Sequence, residues 1–242
     1  MTGTVATNPV RVSIVIPCLN EGLILDSLVE SLQYCRLEGH ELLLVDGGSR
    51  DGALDKLATL VDHLLVSEPG RARQMNAGAA RAGGDILWFL HSDSSPPDHA
   101  VDTIVSSLAS GRYRWGRFDI TMSGRHRMLR LVESMMNRRS RLTGIATGDQ
   151  GIFVEREAFV AAGGFPEIPL MEDIALSRSL KRISAPCCLS QRLVTSSRRW
   201  ETQGVYRTIL LMWRLRLAYA MGVDPEALER RYRQCNSPTQ GS

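Results

Sequence analysis

Hydrophobic positions in the first hundred residues fall into short unbroken runs separated by amphipathic stretches. Val12 to Pro17 (VSIVIP) is a β-branched run and predicts a strand, while Glu21 to Arg36 repeats apolar positions at helical spacing behind Asn20, a helix-capping residue type. Glu41 to Asp46 (ELLLVD) repeats the strand signal, Gly47 and Gly48 turn the chain, and Ser49 or Asp51 is placed to cap a helix running towards Leu60. His63 to Ser67 predicts a third strand, Arg71 to Ala82 a helix of small residues, and Ile86 to Leu90 (ILWFL) a fourth strand, broken by His91 to Pro97. Apolar runs without alternation are strands covered on both faces, so the pattern predicts an α/β fold with a mostly parallel sheet.

The second half is less regular. Strands are expected over Trp115 to Ser123 and Gly151 to Glu155, with an extended stretch over Cys187 to Ser196. Helices are expected over Arg125 to Arg139, Arg156 to Ala162, Ile174 to Arg182, Val205 to Met221 and Pro225 to Arg233. With no internal repeat and no linker composition, the expected organisation is a polar leader (1–11), one domain (12–235) and a polar tail (236–242). The domain divides into a Rossmann-like nucleotide-binding half (12–100) and an acceptor half (101–235). In such a sheet a ligand lies at the carboxyl ends of the strands.

Composition narrows the classes. The 242 residues are 43% hydrophobic and 23% charged, as in ordinary globular proteins. The formal charge of +3 is too small to point to nucleic acid as a partner. Lys56 and Lys181 are the only lysines, so nearly all positive charge is guanidinium. Cys18, Cys35, Cys187, Cys188 and Cys235 show neither disulfide nor zinc spacing, which fits a reducing compartment. No apolar stretch approaches the ~20 residues that cross a bilayer, and a cytoplasmic chain is expected. The helix over 205–221 mixes Tyr206, Trp213 and Tyr219 with Arg207, Arg214 and Arg216. Such a helix suits either an anionic membrane surface or core packing with snorkelling arginines, and the second reading is preferred.

Polar residues cluster where strands end: Asn20 and Glu21 after the first, Asp46 after the second, Asp93 after the fourth. Each alone is explained as a cap or turn former, but jointly they suggest a cleft, because a carboxylate at a buried strand costs desolvation. There is no GxGxxG after the first strand and no GxxxxGK[ST], which disfavours dinucleotide oxidoreductases and P-loop ATPases. Asp93, between Ser92 and Ser94, suits a single carboxylate gripping a hard cation. Glu172-Asp173 opens a predicted helix, where the dipole favours acids and capping alone explains one of them.

The ordered segments VSIVIPCLNE, ELLLVDGGSRDGA, GRARQMNAGAARAGGDILWFLHSDSSPP and GDQGIFVEREAFVAAGGFPEIPLMEDIALSRSLKR resemble a family 2 glycosyltransferase of the GT-A fold, over roughly residues 12–200. They are also similar to the small transferases found alongside radical-SAM and selenium-domain proteins, described as arsenosugar biosynthesis glycosyltransferases.

That resemblance implies a three-layer sandwich on a mostly parallel mixed sheet, and an inverting transfer of sugar from a nucleotide-diphosphate donor, uridine-linked, to a small-molecule acceptor. Pro17, Asn20, Glu21 and Asp46 would hold base and ribose, Arg71 and Ser92 would approach the donor, and Asp173 would be the general base. The family's DxD element falls at His91-Ser92-Asp93, so His91 replaces the first acid. Only Asp93 is then left to hold Mn2+ or Mg2+ with the donor diphosphate. Asp149, Gln150, Glu172, Arg199 and Trp200 would contact sugar or acceptor, the last two resembling a QxxRW loop in which Ser196 stands for Gln. A non-catalytic nucleotide-sugar-binding protein and a nucleotidyltransferase remain the alternatives. A nucleotidyltransferase would need a basic phosphate loop where this chain has Cys18-Leu19-Asn20-Glu21.

Overall fold

The computed structural model describes residues 9–52 and 54–236, without the side chains of Leu23, Asp55, Arg199, Cys235 and Asn236. Most of the expected leader and tail lies outside the described residues. The strands are β1 (Val12–Cys18), β2 (Glu41–Asp46), β3 (His63–Val66), β4 (Ile86–Phe89), β5 (Ser94–Ser95), β6 (Trp115–Met122), β7 (Phe153–Glu155) and β8 (Cys187–Thr195). They form one sheet in the order β3-β2-β1-β4-β7-β6-β8-β5. Pairs β2–β3, β1–β2, β1–β4 and β6–β8 are parallel, and β4–β7, β6–β7 and β5–β8 antiparallel. The sheet is the expected α/β arrangement, parallel in the first half and mixed in the second.

Its helices are α1 (Gly22–Ser31), α2 (Gln33–Leu37), α3 (Leu54–Leu57), α4 (Arg71–Arg81), α5 (Ala100–Leu108), α6 (Arg127–Thr143), α7 (Arg156–Ala161), α8 (Glu172–Leu180), α9 (Arg198–Gln203), α10 (Val205–Ala220) and α11 (Pro225–Asn236). Side chains alternate along β1, so Val12, Ile14 and Ile16 pack with Leu25, Val29 and Ile104 of α1 and α5. Val15 points the other way, into Val45 of β2 and Ala72, Met75 and Ala79 of α4. Each fully buried aliphatic side chain contributes ~1.5–3 kcal/mol, which explains the unbroken apolar runs. The small residues of α4 serve close approach: a Cβ at Gly78 would strike Val15 Cγ1.

Three local expectations change. The stretch 21–36 breaks at Leu32 into α1 and α2. Asn20 is not a cap; it takes a left-handed φ of 54°, its Oδ1 accepts from Arg50 N (2.9 Å) and its own N donates to Ser49 Oγ (2.8 Å). Asp51 accepts from Gly22 N at the start of α1 (3.1 Å). The loops after β1 and β2 are thereby stapled together. Helices α5 and α9 were not expected, although Val101, Ile104 and Leu108 recur at helical spacing on α5. On α10, Thr208, Leu215 and Ala218 pack inward as expected, whereas Tyr206 and Trp213 are 68% and 58% exposed.

Candidate active site

The ends of β1, β4 and β8, the turn before β7 and helices α8 to α11 enclose a cavity of about 430 Å3. Pro17, Glu21, Arg71, Ser92, Asp93, Asp149, Glu172, Asp173 and Trp200 line it, all of them expected from sequence. Asn20, Asp46 and Gln150 do not. Asn20 is occupied by the β2 loop. Asp46 is buried and turned into its own loop, where its carboxylate accepts from Ser49 N (2.9 Å) and Ser49 Oγ (2.5 Å). Gln150 is fully buried in a reciprocal cap with Thr147, Oε1 accepting from Thr147 N (3.1 Å), so its amide braces the turn from behind. The Arg199 side chain lies outside the described residues.

The acids are placed by local structure. Glu172 and Asp173 occupy the first turn of α8, entered through Met171 at a left-handed φ of 72°. That conformation costs a non-glycine residue ~1–2 kcal/mol. It is held because Met171 is buried against Ile174, Leu215 and Leu228. Asp173 Oδ1 accepts from Ile174 N (2.7 Å) and Oδ2 from Gly148 N (2.8 Å), which fixes the carboxylate at the cavity wall. Across the cavity Ser92 Oγ donates to Glu21 Oε2 (2.5 Å), and His91 Nδ1 lies 3.3 Å from Asp149 Oδ1. Gly148 lets the 147–150 turn approach His91, since a Cβ there would overlap the imidazole Nε2.

These neighbours shift protonation. Burial, then the Asp173 charge, pushes the Glu172 carboxyl up to about 7, against the pull of Arg71. Asp93 is raised by burial and by Asp149 and Glu21, with His91 and Arg71 opposing. Arg71 stands exposed in the cavity mouth yet crowded by protein; the crowding penalises its charge, and the carboxylates of Glu172, Asp149 and Asp93 outweigh it.

On the facing wall Arg216 of α10 is lowered by burial despite Asp173 and Asp149. Behind it Arg139 of α6 falls to about 10 through burial and the Arg216 charge, with Nε and Nη2 buried and unpartnered among the described residues. Arg198, which precedes the QxxRW-like Arg199-Trp200, lines the cavity too, as do Arg216 and Tyr232, to which the sequence assigned no site role. No sequence signal marked Arg216; in the structure it falls on the same side of α10 as Val205, Ile209 and Met212. Cys18 is buried beside Asp46, and its thiol, pushed up to about 12, is no nucleophile.

Among the described residues no cluster of three or more His, Cys, Asp or Glu side chains could hold a metal ion. Asp93, a lone carboxylate in the cavity, matches a hard cation that takes one protein carboxylate and completes its shell from substrate phosphates and water. The residues fit Mn2+ or Mg2+ in that company.

The fold is similar to that of a mannosyltransferase from Pyrobaculum calidifontis solved with GDP-Man and Mn2+, with a TM-score of 0.63 at 20% identity over 93% of this chain and 65% of that one. It is similar to S. aureus TarS 1-349 solved with UDP, with a TM-score of 0.63 at 17% identity over 77% of this chain and 60% of that one. At these identities the likeness is one of fold.

Among curated proteins, an uncharacterised glycosyltransferase of Mycobacterium tuberculosis is 34% identical over 112 residues, 43% of each chain. A PGL/p-HBAD biosynthesis glycosyltransferase of Mycobacterium bovis is 30% identical over 134 residues, 45% of this chain and 52% of that protein. The matches thus span about half the length of these relatives. The sequence profile described as glycosyl transferase family 2 matches residues 13–159, more than half of the chain, and the protein belongs to that family.

Proposed function

We propose that this protein is an inverting glycosyltransferase that moves a sugar from a nucleotide diphosphate, uridine-linked, to the hydroxyl of a small acceptor. One observation carries the reading: Asp93 and Asp173 line the same cavity, with Arg71 at its mouth. Solved proteins of similar fold bind UDP in one case and GDP-Man with Mn2+ in another, which supports a nucleotide-sugar donor. The small acceptor follows the motif likeness to the radical-SAM-associated transferases.

In this reading the acceptor oxygen attacks the anomeric carbon from the face opposite the diphosphate, and the bond between that carbon and the phosphate oxygen breaks. Asp173 takes the hydroxyl proton. Its two backbone hydrogen bonds hold the carboxylate in one orientation, so proton transfer needs no reorganisation. Arg71 and Arg216 face the negative charge that accumulates on the leaving group. Asp93 would hold a divalent cation, which would supply charge neutralisation on the diphosphate. A single base without a covalent nucleophile gives inversion.

Melting temperature should be followed with UDP-hexoses and GDP-hexoses, with and without Mn2+, alongside release of nucleoside diphosphate. The reading expects UDP-sugar to raise the melting temperature most with Mn2+, and diphosphate to be released once a hydroxyl acceptor is added. Stabilisation without release would make the chain a nucleotide-sugar sensor, and no stabilisation by any donor would end the reading.

A further inference from the structure

We propose that the paired outer faces of α6 and α10 form a docking platform for an anionic lipid bilayer surface. Strands β6 and β8 are parallel and end together at Met122 and Thr195, so α6 after β6 and the short α9 leading into α10 after β8 leave from the same end of the sheet. The two lie side by side: Met128 and Val132 share one apolar cluster with Val205 and Ile209, and farther along Arg139 meets Arg216. Both bury one flank, through Leu129, Met136 and Ser140 on α6 and through Thr208, Leu215 and Ala218 on α10.

The opposite flank is apolar and faces solvent. On α10 Tyr206, Leu210, Trp213 and Leu217 recur at helical spacing, and on α6 Leu131 and Met135 do the same; all six are between 38% and 68% exposed. Rotation about two helices running the same way places both stripes on a single outer face.

Charge selects the occupant. Arg127 and Arg138 border the stripe on α6, and Arg207 and Arg214 border it on α10. All four are exposed, and none makes a hydrogen bond or ion pair among the described residues. Helix α10 has no acid, and the one acid of α6, Glu133, is buried and accepts from Met122 N (2.5 Å). A second copy of this chain docked face to face would set arginines against arginines, which disfavours self-association. A bilayer with negative headgroups accepts both parts: the aromatic and leucine side chains enter the acyl boundary while the guanidinium groups stay at headgroup level. Among the described residues no helix is long and apolar enough to cross a membrane. Met212, Leu215 and Arg216 on the other side of α10 line the cavity, which sets the site about one helix diameter, ~10 Å, from the lipid.

Co-sedimentation with vesicles of phosphatidylcholine, and of phosphatidylcholine mixed with phosphatidylglycerol, tests this without reference to activity. The parent should pellet with the mixed vesicles at low salt and far less with phosphatidylcholine alone. Trp213→Ser with Leu217→Ser should weaken that binding at least about tenfold. Arg207→Gln with Arg214→Gln should weaken it about fivefold per arginine, on the anionic vesicles only. The altered side chains are exposed, so unchanged thermal melting verifies the fold, and the arginine pair stands as an independent variant. A parent that stays in the supernatant overturns the proposal, as does an apolar variant that binds like the parent. So does light scattering that finds a dimer dissolved by the same substitutions.

Discussion

The two walls of the cavity carry opposite chemistry. The strand-end wall presents acids, Glu21, Asp93, Asp149, Glu172 and Asp173, on turns and on a helix start that share backbone hydrogen bonds. The helical wall presents Arg198, Trp200, Met212, Leu215 and Arg216 on surfaces held by apolar packing. The acids are therefore fixed in position, while the arginine side rests on helices at the edge of the molecule. A substrate that is anionic at one end and hydroxylated at the other suits such a division, and each wall can be removed separately.

The largest effect is expected on the acidic wall. Asp173→Asn should lower turnover on the order of 10²–10⁴-fold through loss of the proton acceptor, with a much smaller change in donor affinity, since its amide can accept from only one of Gly148 N and Ile174 N. Parallel loss of both would make Asp173 a purely structural brace of the Gly148 turn. Asp93→Ala should weaken donor binding by more than about tenfold when Mn2+ is present and little in chelator, as calorimetry with and without the ion would reveal.

Glu172→Gln tests burial. The folded protein holds this carboxyl near 7 and the unfolded chain near 4.5, so its favourable contribution is complete below 4.5 and disappears as pH rises to about 7. The glutamine variant should be more stable than the parent by roughly 1–3 kcal/mol at pH 8 and equal to it at pH 4. A lower melting temperature at pH 8 would instead mean a charged Glu172 paired with Arg71. The smallest effect belongs to the opposite wall: Trp200→Ala should raise the acceptor KM about 2–10-fold with kcat nearly unchanged, the size of a lost ring contact. A shift confined to donor KM would move Trp200 out of the acceptor region.

The same division separates what was legible in the chain from what was not. Strands β1, β2 and β4 are unbroken apolar runs buried on both faces, so local pattern and tertiary environment agree, and the acids at their ends could be read directly. Asp46 and Gln150 show the limit of that reading. A carboxylate or amide beside a strand serves a ligand or its own loop, and only the direction of the side chain decides; Ser49 and Thr147 turn both inward. Helix α10 lies where it was expected, over Val205–Ala220, and only its facing was illegible. Its apolar residues run nearly all round, so periodicity did not tell the flank that meets α6 from the one that meets solvent.

Gly148 leaves space for one imidazole and for nothing beyond its own hydrogens, because His91 lies where a methyl group would go. Across descendants of a common ancestor, two such sites should mutate in concert. A side chain larger than hydrogen at 148 would therefore require a smaller or displaced one at 91.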